Sequence, residues 1–233
     1  MRPTPPPPEP ITVARPDLPP LDDFLPLLRE IWDSHRLTNN GPFHVRFELA
    51  LAQYLGVPQV ALFANATLAL LVAQHALGLQ GEVITTPFSF VATAHSLLWN
   101  RLRPVFVDID PLTRNIDLAR IEAAITPATR AILPVDLAGL PVDRDRLYVI
   151  ARKHGLRVVE DAAQAFGSTW GGKPIGAIGD FVSFSFHPNK NITTIEGGAL
   201  VLNDEREARL AEQYRLQGVV RTGFDGMEVE IVG

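Results

Sequence analysis

Lys190, in Phe184-Ser185-Phe186-His187-Pro188-Asn189-Lys190-Asn191, and Asp161, 29 residues earlier in Val159-Glu160-Asp161-Ala162-Ala163-Gln164, are the side chains best placed to do chemistry. A lysine amine forms a Schiff base with an aldehyde, and a buried carboxylate keeps a pyridine nitrogen protonated so that the ring can draw in electrons. These are the two requirements of pyridoxal phosphate chemistry. Each residue ends or follows an apolar, strand-like run, and open α/β sheets hold their ligands at the carboxyl ends of strands. Taken singly, neither is diagnostic. A lysine after an apolar run is usually a solvated surface residue, and a strand-end aspartate usually caps a helix or forms a turn.

The surroundings add weight. Ser185 puts a hydroxyl at a strand end five residues before Lys190, where a phosphate ester can be held. Glu196-Gly197-Gly198 lets backbone approach a ligand closely, although paired glycines serve a plain hairpin turn equally well. Asn65-Ala66-Thr67 separates a strand-like run from a helical one, so its amides point out of a helix N-terminus, a ready anion site or an ordinary cap. Phe90, just past another strand-like run, can stack on a flat cofactor or pack in a core. His187 is given no role. Six histidines without paired spacing argue against a metal. There is no Gly-x-Gly-x-x-Gly after the first strand-like run, no Walker-type loop and no Gly-x-Ser-x-Gly.

The elements that position these residues follow from periodicity. From Gln59 onward seven apolar or β-branched runs, 59–63, 82–86, 104–109, 131–136, 157–161, 181–186 and 199–203, alternate with helical patterns at 67–77, 90–99, 117–125, 143–154 and 204–216. The order predicts a three-layer αβα fold around a mostly parallel seven-stranded sheet. The last two runs are joined by a loop, which allows one antiparallel strand there. Amphipathic helices are expected at 21–34 and 43–55. Met1–Pro10, with six prolines in ten residues, is expected to be a disordered tail.

The chain has 233 residues, 46% hydrophobic and 20% charged, as in ordinary globular proteins. A net charge of −5 with no basic run argues against nucleic acid or an anionic membrane as partner. The absence of cysteine excludes disulfides and thiolate metal sites. Neither a signal peptide nor a bilayer-length apolar run is present, so a cytoplasmic location is expected.

Several spaced motifs together resemble the DegT/DnrJ/StrS family of sugar-nucleotide aminotransferases, which have the aspartate aminotransferase fold. They are Leu37-Thr38-Asn39-Asn40-Gly41-Pro42 with Phe47-Glu48, Asn65-Ala66-Thr67 with Ala69-Leu70, Glu82 to Phe90, Asp136 to Pro141, Glu160 to Ala165, and Ser185 to Asn191 with Glu196-Gly197-Gly198. The resemblance runs from about Ile11 to about Gly223. It implies that Lys190 holds the cofactor covalently and later moves a proton, that Asp161 pairs with the pyridine nitrogen, and that Gln164 bonds the ring hydroxyl or phosphate side. Phe90 is then the stacking ring, and Ala66, Thr67 and Ser185 hold the phosphate. The implied donor is glutamate, and the implied acceptor a nucleotide-linked keto sugar, with Thr85 to Thr93 closest to members acting on a dTDP-4-keto-6-deoxyhexose.

Two departures stand out. Ile195 occupies a position that is usually glycine in the family. Members also extend well past Gly233 into a smaller C-terminal domain, so the expected division is a tail at 1–10, a cofactor-binding large domain at 11–218, and the start of a truncated C-terminal region at 219–233. That leaves two alternatives, a cofactor-binding protein without full catalysis and a related sugar dehydratase. In the dehydratases histidine replaces the lysine, so Lys190 speaks against the second. A homodimer is expected from exposed apolar surface and the family's shared active sites.

Overall fold

The computed structural model describes residues 14–37, 40–223 and 226–229. The expected Met1–Pro10 tail, and Thr38 and Asn39 of the turn-rich loop, lie outside the described residues. In chain order the strands are β1 (Gln59–Phe63), β2 (Glu82–Thr85), β3 (Arg103–Phe106), β4 (Thr129–Ile132), β5 (Arg157–Asp161), β6 (Thr169–Trp170), β7 (Lys173–Pro174), β8 (Phe181–Ser185), β9 (Gly198–Leu202), β10 (Val219–Gly223) and β11 (Gly226–Val229). The helices are α1 (Leu21–Ser34), α2 (Pro42–Leu55), α3 (Ala66–Ala76), α4 (Val91–Trp99), α5 (Leu118–Ala124), α6 (Arg144–His154) and α7 (Glu205–Arg215).

Seven strands form one sheet in the order β1-β9-β8-β5-β4-β2-β3. Only β9 runs antiparallel, against both β1 and β8. It is the strand reached through a loop, and a loop between neighbouring strands reverses the chain, whereas each helix crossover preserves direction. The expected seven runs are thus the seven sheet strands. Two of them end three or more residues before the expected run does: β3 stops at Phe106 and β4 at Ile132 because β2 ends between them. Beyond that point single hydrogen bonds, Val107 N–H to Thr85 C=O and Leu133 N–H to Ile84 C=O, replace the ladder. The hairpins β6–β7 and β10–β11 stand apart from the main sheet.

Helix ends follow local chemistry. Asn65 caps α3 by accepting the Leu68 N–H at 3.0 Å, Asp143 caps α6 through Arg146 N–H, and Asp204 caps α7 through Glu207 N–H. Pro42 opens α2, and Gly56 closes it in the left-handed conformation at φ 67°. The sheet is buried on both faces, so β8 and β9 read as unbroken buried runs. On one face Val159, Phe181, Leu200 and Leu202 pack with α3 and α7; on the other Ile84, Ile132 and Val158 pack with α5 and α6, while Val182, Phe184 and Val201 pack under α2. Truncating a fully buried ring such as Phe184 to alanine would cost about 3–5 kcal/mol.

Candidate active site

Because β1, β2, β4, β5 and β8 run the same way, their carboxyl ends share one edge. The segments leaving that edge line a cavity of about 230 Å³. Every residue expected to touch the cofactor lies on its wall: Ala66, Thr67, Phe90, Asp161, Gln164, Ser185 and Lys190. The loop from β8 to β9 carries Lys190 over the edge and returns with Glu196, also on the wall.

Asp161 is the last residue of β5 and is 5% exposed. Its Oδ2 accepts a 2.7 Å hydrogen bond from the Thr93 hydroxyl on the first turn of α4, and its Oδ1 accepts the Ala163 N–H at 3.2 Å. Burial pushes the Asp161 carboxyl above its ordinary range, while Thr93, Ala163 and the charge of Lys190 pull the other way. A cation within bonding reach would therefore gain more here than at the surface.

Lys190 is half-buried, and among the described residues no carboxylate lies within ion-pair distance of its amine. Its loop is held by Lys190 N–H to His187 C=O at 2.9 Å, and by contacts of His187 Nδ1 with Asn189 Oδ1 and of Asn191 Nδ2 with Phe166 C=O. Gln164 accepts the Ala138 N–H through Oε1 at 2.7 Å, which orients its amide nitrogen as a donor. Phe90 is the residue before α4 and is 70% exposed, a ring held out at the cavity mouth.

At the opposite end of the cavity α3 begins. The N–H groups of Ala66 and Thr67 have no intrahelical partner, as in any first turn, and they face the space beside Ser185. Ser183 ties this turn down by donating to Ala66 C=O. Gly198, first residue of β9, passes directly beneath it. A Cβ there would overlap the Ala66 nitrogen and the Asn65 carbon, and would lie 2.7 Å from the Asn65 carbonyl oxygen. The close approach, rather than a hairpin turn, is what requires glycine at this position. The basic side chains on the wall, among the described residues, are Lys190 and His187, so this end offers an anion backbone amides and a helix dipole.

The donor set fits pyridoxal phosphate: an amine for the aldehyde, a buried carboxylate in need of a cation, an amide donor, an exposed ring and an anion cradle. Ile195 sits at φ 72°, in the left-handed region that favours glycine. Thr93, which bonds Asp161, is a site residue that sequence patterns do not mark. Its signal was weak: it lies three positions after Phe90, one helical turn along. Among the described residues, no group of three or more His, Cys, Asp or Glu side chains could hold a metal, and no helix is long and apolar enough to cross a membrane.

Known proteins resemble this chain in sequence and in fold. A dTDP-4-amino-4,6-dideoxy-D-glucose transaminase from Shigella dysenteriae is 48% identical over 225 residues, covering 97% of this chain and 60% of the relative. The crystal structure of DesI in the presence of its TDP-sugar product matches with a TM-score of 0.85 and 41% identity, over 88% of this chain and 52% of that one. NtdA from Bacillus subtilis with bound cofactor PMP matches with a TM-score of 0.81 and 34% identity, over 89% and 49% of the two chains. The chain therefore spans only about half to three fifths of the length of these relatives. Its architecture is that of the aspartate aminotransferase-like large domain. The model of the DegT/DnrJ/EryC1/StrS aminotransferase family matches residues 22–233, and the chain belongs to that family.

Proposed function

We propose that this chain is the cofactor-binding part of a pyridoxal phosphate-dependent aminotransferase that moves an amino group from glutamate to a nucleotide-linked keto sugar. The observation that carries the reading is the meeting of Lys190, Asp161 and the free amides of α3 on one cavity wall. Bound pyridoxal phosphate supplies an aldehyde for amine exchange and an electron sink for the carbanion formed when a proton leaves the donor carbon.

In this reading Asp161 holds the ring nitrogen protonated, its carboxylate kept in place by Thr93 and Ala163. Gln164 would offer its amide nitrogen to the ring hydroxyl or the phosphate side, and Phe90 would offer its ring for stacking. Ala66, Thr67 and Ser185 take the phosphate. Lys190 would hold the aldehyde carbon, and its amine, when free, would be the base that moves the proton. A second, more open cavity of about 570 Å³ shares Lys190, Asn189 and Gln164 with the first, and is walled by Ala138, Gly139 and Ser168. It gives an amino acid or a sugar a route to Lys190 from the side away from the phosphate cradle.

The choice of a dTDP-linked 4-keto-6-deoxyhexose as acceptor is supported by the wording of Thr85 to Thr93 and by the Shigella relative. Residues 11–218 are proposed as the cofactor-binding unit. Exposed apolar residues on α1 (Leu21, Phe24, Trp32) and on α4 (Leu98, Trp99) support association as a homodimer.

The test is borohydride reduction of the chain mixed with pyridoxal phosphate, followed by peptide mass spectrometry. The tag is expected on Lys190, and Lys190→Ala is expected to lose it. A tag on another lysine, or none, removes the assignment. Conversion of bound cofactor to its amine form by glutamate alone is the second arm. Cofactor that binds and never converts with any amino donor leaves a binding protein without transamination.

A further inference from the structure

Behind the cavity, on the opposite face of the sheet, lies a cluster of charges that the proposed chemistry leaves unused. Along a strand successive side chains point to opposite faces. Asp161 faces α4 and the cavity, and Glu160 before it faces α6. There Arg144, 1% exposed, makes a two-pronged contact with Asp136, Nη1 to Oδ1 at 3.2 Å and Nη2 to Oδ2 at 2.7 Å, and also bonds Glu160 Oε2. Tyr148 donates to Glu160 Oε1 at 3.0 Å and accepts the Asp180 N–H. Gly179, at φ 127°, leaves no room for a side chain, since a Cβ would press on Glu160 Oε1 and on Tyr148 Oη at 2.9 Å.

This cluster is poorly explained as a source of stability. Two buried carboxylates share one guanidinium, and burial, with the Asp136 charge adding to it and Arg144 opposing, pushes the Glu160 carboxyl up to about 8. Arg144 Nε finds no partner among the described residues. Buried ion groups of this kind cost several kcal/mol in desolvation, on the order of what their attraction returns, and apolar replacements are often as stable.

The cluster's connections run to the cavity by two routes. Glu160 is bonded to Asp161 through the chain. Asp136 donates its backbone N–H to Asp161 C=O at 3.0 Å, and its Oδ1 accepts the Val142 N–H at 2.8 Å, closing the turn that contains Ala138. That turn is further strapped by Asn115, which bonds Leu137 N–H and Leu140 C=O. Ala138, itself at φ 51°, gives its N–H to Gln164.

We propose that Arg144 is a positioning residue for the cofactor: by joining Asp136 to Glu160 behind the sheet it fixes the segment that follows β4 against the tip of β5, and so the aim of Asp161 and Gln164 in front. The proposal rests on the reading of those two residues as cofactor partners.

The experiment compares the full chain with Arg144→Lys and Tyr148→Phe. Glu82→Gln is the control, because Glu82 is an equally buried carboxylate, bonded to the Thr126 hydroxyl at 2.7 Å, at the opposite edge of the same sheet. Thermal melting identifies the folded variants. Amide exchange in the cofactor-free chain and pyridoxal phosphate titration are then measured well below the melting point. Exchange at Asp136 and Ala138 is expected to quicken about tenfold or more in Arg144→Lys, and cofactor affinity to fall about tenfold, with a smaller effect of the same sign in Tyr148→Phe.

Asp161→Asn is expected to weaken binding less in the Arg144→Lys background than in wild type, a non-additivity that lost stability alone does not produce. Glu82→Gln is expected to change melting and neither of the other readings. If Arg144→Lys does not fold, Tyr148→Phe decides. Variants that melt earlier yet keep wild-type exchange at those amides and wild-type affinity overturn the proposal. A wild-type chain that forms no reducible adduct removes instead the reading beneath it.

Discussion

Gly198→Ala is the substitution whose effect follows most directly from the geometry. The new methyl would meet backbone, not the free end of a side chain. It would lie 2.7 Å from the Asn65 carbonyl oxygen, and closer still to the Ala66 nitrogen and the Asn65 carbon, where ordinary contacts begin near 3.4 Å, so the β9 strand and the first turn of α3 must part by at least about 0.7 Å. Gly198 cannot retreat, because it pairs with Phe63 on one side and Ser185 on the other. The yielding partner is therefore the turn bearing the Ala66 and Thr67 amides. Overpacking of this kind costs about 1–3 kcal/mol of stability. A hydrogen bond to a charged acceptor is worth about 1.5–3 kcal/mol, so misplacing one amide weakens phosphate binding by about ten- to a hundredfold. The assay is a pair of titrations, one with pyridoxal phosphate and one with pyridoxal, which lacks the anion. The loss is expected with the phosphorylated ligand alone, accompanied by a lower melting temperature. Equal loss with both ligands would refute the cradle argument, and unchanged affinity would refute the steric one.

Three further substitutions test separate parts of the structure. Thr93→Val removes the hydroxyl that bonds Asp161 Oδ2 at 2.7 Å; the Asp161 carboxyl, already raised by burial, rises further, and pyridoxal phosphate affinity is expected to drop about tenfold in titration, whereas unchanged affinity would reduce Thr93 to packing. Ile195→Gly relieves a β-branched residue at φ 72° that is 73% exposed, and urea unfolding is expected to show a gain of about 0.5–1 kcal/mol, the strain released less the entropy of glycine; a loss would mean that the side chain has a contact of its own. Glu160, with its carboxyl raised from 4.5 to about 8, binds more protons folded than unfolded between those values, so its contribution to stability is full below about 4.5 and is lost as pH rises through about 8. Urea unfolding at pH 6 and pH 8 is expected to show that wild type loses more stability over this interval than Glu160→Gln, by up to about 1.4 kcal/mol per pH unit, and equal slopes would remove the proton from Glu160.

The fold was legible wherever burial is two-sided or periodic. β9 announces itself as an unbroken apolar run and β8 as one interrupted only by Ser183, and helix starts are marked by Asn65, Asp143 and Asp204, whose side chains accept amides of the first turn. The reversal of β9 followed from the want of a helix before it. Short, locally held structure was harder to read. The β6–β7 hairpin has two-residue strands, too brief for any alternation, although Gly171 and Gly172, at φ 55° and 78°, are the usual residues of a tight two-residue turn. The ends of β3 and β4 read as longer than they are because Val107, Leu133 and Val135 stay apolar past the point where β2 stops; apolarity tracks burial, and burial outlasts the ladder.

The candidate site divides in the same way. Its front was readable because each element delivers its residue at a strand end or a helix start, positions that sequence patterns mark. Its back was not. Arg144 is bonded to residues 8 and 16 positions away, one in the segment that follows β4 and one on β5, and in a sequence it looks like one more charge opening a polar helix. Glu160 and Asp161 make the limit plain. They are neighbours in one motif and both are buried, yet the pleat sends one to the cavity and the other to Arg144. Alternation says that the two carboxylates part company. Which faces the ligand depends on what packs above each, here Thr93 of α4 over Asp161, and Arg144 and Tyr148 of α6 over Glu160. A substitution at Glu160 therefore acts on the cavity only through the β5 backbone and the Asp136 turn, which is why exchange at the Asp136 and Ala138 amides, rather than turnover, is the measurement that separates the two faces.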